Sequence, residues 1–188
     1  RLTEILPKEI CRIFYSDNGS TAVEVALKMV LQYWWNLGNR KRKKIIAFED
    51  AYHGDTFGAM ASGGRNPFNE PFWDHLFEVS FVPLPRGNNL EESLSLFESL
   101  IGDGEEVAGF IYEPMVQGAG GMKMANRDSL SRMVELAKQR DILCIADEVM
   151  TGFGRTGKLF ASHYLTCSPD IMCLAKGLTG GVLPLSVT

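Results

Sequence analysis

Two hydrophobic patterns alternate along this chain. The first is a short, unbroken apolar run closed by a charge or by turn residues: residues 44–48, 107–112, 142–149 and 171–176. Runs of this kind predict strands covered on both faces, as in a parallel sheet. The second is a helical stripe. Val23, Ala26, Leu27, Val30, Leu31 and Trp34 follow the i, i+3, i+4, i+7 spacing of an amphipathic helix, with Ser20 or Thr21 suited to cap it and Glu24 in its first turn. Leu90, Leu94, Phe97 and Ile101 make a second stripe. Leu130, Met133, Val134 and Ala137 make a third, within residues 127–140. Shorter strands are expected at residues 12–16, 77–82 and 183–188, an irregular excursion at 66–74, and a glycine loop at 117–121. Strands alternating with helices predict an α/β layer fold with a mostly parallel sheet and helices on both faces.

Composition narrows the function class. The 188 residues are 45% hydrophobic and 22% charged, with a formal net charge of −4. That gives no electrostatic case for nucleic acid or for an anionic membrane surface. The basic run at residues 40–44 follows a helix and precedes a strand, where a solvated loop is expected. No apolar run approaches the ~20 residues of a membrane span. Four cysteines have no metal-ligand spacing, and Cys144 and Cys173 lie inside apolar runs as small hydrophobes. A reducing, cytoplasmic compartment is the expectation. Arg1 is not an initiator methionine, and residues 183–188 stop within an apparent strand, so residues 1–188 are expected to be part of one domain of a longer protein.

Candidate chemistry sits where the strands end. The run at 142–149 delivers Asp147 and Glu148, and the run at 171–176 delivers Lys176, with Arg155 in a glycine loop between them. In open α/β sheets, ligands bind just beyond the carboxyl ends of the strands. Asp147 and Lys176 are either a functional pair or a buried salt bridge, and buried bridges stabilise poorly. Upstream, a strand, a glycine turn and a helix start at Gly19 and Ser20 form an anion site, or else an ordinary helix cap. The run is neither a Walker loop nor a G-x-G-x-x-G motif. After the strand at 44–48, Tyr52 and His53 either face a planar ligand or, for His53, fill a structural role.

Taken jointly, a phosphate site (Gly19, Ser20), a flat aromatic face (Tyr52), a carboxylate (Asp147) and an amine (Lys176) meet the needs of pyridoxal 5′-phosphate (PLP). Five ordered motifs carry a resemblance: Asp17-Asn18-Gly19-Ser20-Thr21-Ala22-Val23-Glu24, Tyr52-His53-Gly54-Asp55-Thr56, Glu113-Pro114, Asp147-Glu148-Val149 with the loop at 152–157, and Ala175-Lys176-Gly177. On these residues the chain resembles the class III aminotransferases, which have PLP fold type I (aspartate aminotransferase-like). The resemblance implies that residues 1–188 are part of the large PLP-binding domain, with the small domain and the remainder of the large domain lying outside them.

It further implies that Lys176 is the catalytic residue. Lys176 would hold the cofactor covalently and then move a proton as a base, which calls for burial and nearby positive charge. Asp147 would pair with the ring nitrogen, Gly19 and Ser20 with the phosphate, and Tyr52 with ring and substrate. Arg155, Asp55 and Glu113 are implied as a supporting shell. Within the class, the likeness is to the biotin-pathway members, which transfer the amino group of S-adenosylmethionine to 8-amino-7-oxononanoate. Met150 stands where many class members have a glutamine, and the biotin-pathway members likewise lack it. The alternatives are another ω-aminotransferase of the class, acting on ornithine, 4-aminobutyrate or a similar amine, and a non-catalytic phosphate-binding module. A homodimer with the site shared between subunits is also implied, with no metal.

Overall fold

A computed structural model describes residues 1–188. The elements in order are α1 (Leu2–Ile5), β1 (Tyr15–Ser16), α2 (Gly19–Asn36), β2 (Lys44–Phe48), α3 (Phe57–Ser62), β3 (Ser80–Val82) and α4 (Leu90–Ile101). They continue with β4 (Val107–Tyr112), β5 (Val116–Gln117), β6 (Lys123–Met124), α5 (Arg127–Gln139), β7 (Leu143–Asp147), β8 (Ile171–Cys173) and β9 (Ser186–Val187). Short 3-10 turns occupy Glu70–His75, Ala161–Tyr164 and Lys176–Leu178.

Five strands form one parallel sheet in the order β3-β2-β4-β7-β8. Alternate residues of each strand serve opposite cores. Ile46, Phe48, Phe110, Tyr112, Cys144 and Ala146 face α4 and α5 and meet Phe97, Ile101, Leu130 and Met133. Ile45, Ala47, Ile111 and Ile145 face α2 and meet Ala22, Val23, Ala26, Leu27 and Val30. This division explains the unbroken apolar runs: with both faces covered, no position is left for a polar side chain.

A register shift opposite Lys44 and Ile45 interrupts the β2–β4 ladder. Trp34 donates its indole N–H to the Ala108 carbonyl at 2.9 Å there. A side chain at Gly109 would sit 2.9 Å from Val30, so α2 crosses the sheet at a glycine.

The chain steps outward from β2 to β3, then returns past β2 to β4, β7 and β8. The reversal opens a crevice at the carboxyl ends of β2 and β4, where a ligand fits this sheet type. β1 and β9 lie apart as an antiparallel pair, Tyr15 opposite Val187 and Ser16 opposite Ser186, and Val187 also bridges to Leu174.

Several expected boundaries shift. The strand expected at 12–16 is confined to Tyr15–Ser16, the one at 77–82 to Ser80–Val82, and the one at 171–176 to Ile171–Cys173, because only those residues find a ladder partner. The excursion at 66–74 contains a 3-10 turn, and the loop at 117–121 is the tip of the β5–β6 hairpin. Leu31 is exposed, and Ala22 takes its place in the stripe. Neither Ser20 nor Thr21 caps α2. Asn18 does, its side-chain oxygen accepting the Thr21 amide at 3.1 Å while the Thr21 hydroxyl accepts the Asn18 amide at 3.1 Å. Glu24 therefore lies in the second turn rather than the first.

Candidate active site

Gly19, Ser20, Tyr52, Asp147 and Lys176 line a single cavity of about 500 Å³. They arrive from four places: the start of α2, the loop after β2, the end of β7, and the turn after β8. His53, Glu113 and Met150 share its wall. Arg155 does not line it, and donates its Nε–H to the Met150 carbonyl at 2.7 Å. Asp55 lies outside it too, accepting the Tyr52 hydroxyl at 2.8 Å.

The candidate anion-binding part is built from backbone. Because α2 begins at Gly19, the amides of Gly19 and Ser20 have no intrahelical acceptor, and no other group of the chain accepts from them. A side chain at Gly19 would lie 2.7 Å from Val149 Cγ1, so only glycine lets the helix start sit against the end of β7. The Ser20 hydroxyl accepts the Asp55 amide at 3.1 Å. With a lone pair so engaged, its own proton is free to be donated into the cavity.

The carboxylate floor is buried. Asp147 is 3% exposed, and its Oδ2 lies 2.7 Å from His53 Nδ1 while its Oδ1 accepts the Val149 amide at 3.1 Å. His53 is also buried, and its Nε2 has no partner within the chain. Beside them Glu113 accepts the amides of Tyr52 at 3.2 Å and Gly118 at 2.8 Å. The sequence alone leaves His53 open to either a ligand or a structural role. The structure gives it to Asp147, at the end of β7 and two strands over from β2.

Burial opposes a charged imidazole, but the hydrogen bond and charge of Asp147 outweigh it and hold His53 above its ordinary value. Burial likewise pushes the Glu113 carboxyl up. For Tyr52, burial and then the bond to Asp55 raise the phenol to about 12, so it remains a donor throughout the neutral range.

Both His53 and Glu113 bind protons more tightly folded than unfolded. Stability therefore falls as pH rises through each window. For His53 the contribution is complete below about 6.5 and is lost as pH climbs through the raised folded value; the Glu113 window starts lower, near 4.5. The unfolding free energy of cofactor-free protein, measured with urea, should decline from pH 6.5 upward. His53→Asn, which cannot titrate, should flatten that decline. An unchanged slope in the variant would disprove this account of His53.

Lys176 departs from expectation. It is neither at a strand end nor buried: β8 stops at Cys173, and Lys176 opens a 3-10 turn with its side chain exposed and its φ at +42°. The adjoining residues 177–185 are themselves largely exposed, so within this chain nothing covers the amine on that side. A positive φ at a residue other than glycine is strained backbone, of a kind that clusters at functional sites.

The family model for aminotransferase class III matches residues 1–188. A curated relative from Synechococcus elongatus, named adenosylmethionine-8-amino-7-oxononanoate aminotransferase, is 52% identical over 100% of this chain and 46% of its own length. The chain thus spans about half the length of the curated relatives it matches. Among solved structures, the enzyme of the same name from Methanocaldococcus jannaschii superposes with a TM-score of 0.91 at 41% identity, over 99% of this chain and 43% of that one. A PLP-bound amine transaminase from an uncultivated Pseudomonas species gives 0.91 at 35% identity, over 99% and 45%.

Proposed function

Because the chain belongs to the class III aminotransferase family, we propose that it forms the cofactor-binding part of a PLP-dependent enzyme. The reaction we assign moves the amino group of S-adenosylmethionine to 8-amino-7-oxononanoate, giving 7,8-diaminononanoate for biotin biosynthesis. The observation that carries the cofactor reading is the single cavity that collects two free helix-start amides, a buried carboxylate and one lysine. The substrates rest on the relatives, since amine transaminases share the fold at lower identity.

The residues present fit the cofactor. Gly19 and Ser20 would bind the phosphate through two amides and one hydroxyl, favoured by the dipole of an 18-residue helix. Asp147 would hold a proton on the ring nitrogen. His53, fixed below it, keeps that carboxylate oriented and offsets its charge. Tyr52 would border the ring and substrate, its hydroxyl steered by Asp55. Lys176 would capture the aldehyde and later carry the proton at the reacting carbon. When bound, PLP supplies an electron-withdrawing ring that stabilises negative charge on that carbon.

The proposal includes a homodimer in the cytoplasm whose subunits share each site. Phe68 and Phe72 line an adjoining cavity of about 730 Å³ that includes Tyr52 and Gly54, and apolar surface at the edge of a site suits a subunit contact. No helix is long and apolar enough to cross a membrane.

The test is a half-reaction on the intact, PLP-loaded protein. S-adenosylmethionine is expected to convert bound PLP to its amine form, while ornithine and 4-aminobutyrate leave it unchanged. Conversion by the ω-amines alone would sink the substrate assignment. Borohydride reduction and peptide mapping should place a pyridoxyl group on Lys176; an unmodified Lys176 would favour a non-catalytic phosphate-binding module.

A further inference from the structure

Glu24 points from α2 toward the segment that follows Tyr52. Its Oε2 accepts the Thr56 hydroxyl at 2.6 Å and the Ala59 amide at 3.1 Å. Thr56 immediately precedes α3 yet makes no capping bond with its own side chain. The acceptor that α3 needs comes instead from another helix. A side chain at Gly58 would lie 2.5 Å from Glu24 Oε1, so the carboxylate can approach only because that residue is glycine. No cation forms an ion pair with Glu24, and both of its hydrogen bonds go to the start of α3.

The same stretch is tied to Ser20, one helical turn before Glu24 on the same face. Thr56 also reaches the Ser20 carbonyl at 3.4 Å, and the Asp55 amide donates to the Ser20 hydroxyl at 3.1 Å. At Gly54, φ is +126° and a side chain would lie 2.1 Å from Ser20 Oγ, so the loop is pressed directly onto the serine. Asp55 in turn holds the Tyr52 hydroxyl.

We infer that Glu24 is a positioning residue for the anion-binding end of the site. By fixing Thr56 and the first turn of α3, it sets the Asp55 amide against Ser20, which leaves the Ser20 proton to be donated into the cavity. The inference rests on the reading of Gly19 and Ser20 as the phosphate site.

The test compares PLP with pyridoxal, which lacks the phosphate, as ligands of the intact protein. Glu24→Ala is expected to weaken PLP binding about tenfold, the scale of one hydrogen bond to a charged group, and pyridoxal binding less than about twofold. Glu24→Gln keeps an acceptor for Ala59 and should restore both affinities. Glu24→Asp falls one methylene short and should behave like alanine, which covers the case in which Glu24→Ala does not fold. In cofactor-free protein, the amides of Asp55 and Ala59 should exchange faster in Glu24→Ala.

Equal weakening of both ligands, or no weakening of either, would overturn the inference and leave only a structural role. A wild-type protein that takes up no PLP would bring down the functional proposal as well. Wild-type uptake with an unchanged PLP-to-pyridoxal ratio in Glu24→Ala and Glu24→Asp would bring down the Glu24 inference alone.

Discussion

Replacing Lys176 with alanine is expected to abolish covalent capture of PLP and to lower turnover by roughly 10⁴-fold. Lys176 is the one lysine or arginine on the cavity wall, so no neighbouring amine can take over both duties. The substitution should leave folding almost untouched, because the side chain is exposed and alanine inherits the same strained φ. Borohydride trapping gives the first readout and single-turnover kinetics the second. A pyridoxyl group on Lys123, which lines the adjoining cavity and pairs with Asp50, would relocate the site. A variant that kept wild-type turnover would remove Lys176 from the chemistry altogether.

The second large effect concerns stability. Glu148 is fully buried directly after Asp147, and its carboxylate accepts the Thr151 hydroxyl at 2.6 Å and the amides of Ala161 at 3.0 Å and Ser162 at 2.6 Å. These bonds close the long loop from β7 to the 3-10 turn at Ala161–Tyr164, and that loop places Val149 and Met150 on the cavity wall. Glu148→Ala strands three buried donors at once. An uncompensated buried polar group costs about 1–3 kcal/mol, so the total loss should reach about 3–5 kcal/mol. Glu148→Gln should lose less, since one amide oxygen can still serve two of the donors while its NH2 opposes the third. Denaturant unfolding of the alanine variant within about 1 kcal/mol of wild type would contradict this reading.

Sequence reasoning reached furthest where local pattern and final environment coincide. β2, α4 and β4 match the runs at 44–48, 90–101 and 107–112 because burial on both faces, or on one helical stripe, leaves a periodic trace in the chain itself. Asp147 and Lys176 stand out as candidates for the same reason: each is a charged residue that closes an apolar run. What escaped depends on partners distant in sequence. β8 ends at Cys173 because its ladder with β7 ends there, and Leu174 instead pairs with Val187. The exposure of Lys176 follows from that early stop. His53 and Glu24 are single polar residues whose roles come from Asp147 and Ala59, 94 and 35 positions away. The cap of α2 was a local miss. Asn, Ser and Thr can all cap, and only the geometry of the capping box picks Asn18.

The pairing of Tyr15 with Val187 also fixes an order of events during biosynthesis. The strand that leads into α2 has no neighbour until β9 exists, and Thr188 then ties the helix down through the Ala22 carbonyl at 2.8 Å. At ribosomal speeds of about 5–20 residues per second, the crevice at the strand ends stays without this closing pair for on the order of ten seconds or more after its glycine turn has been made. The turn at Gly19 and Ser20 should therefore become rigid late in synthesis, only after the closing strand leaves the exit tunnel.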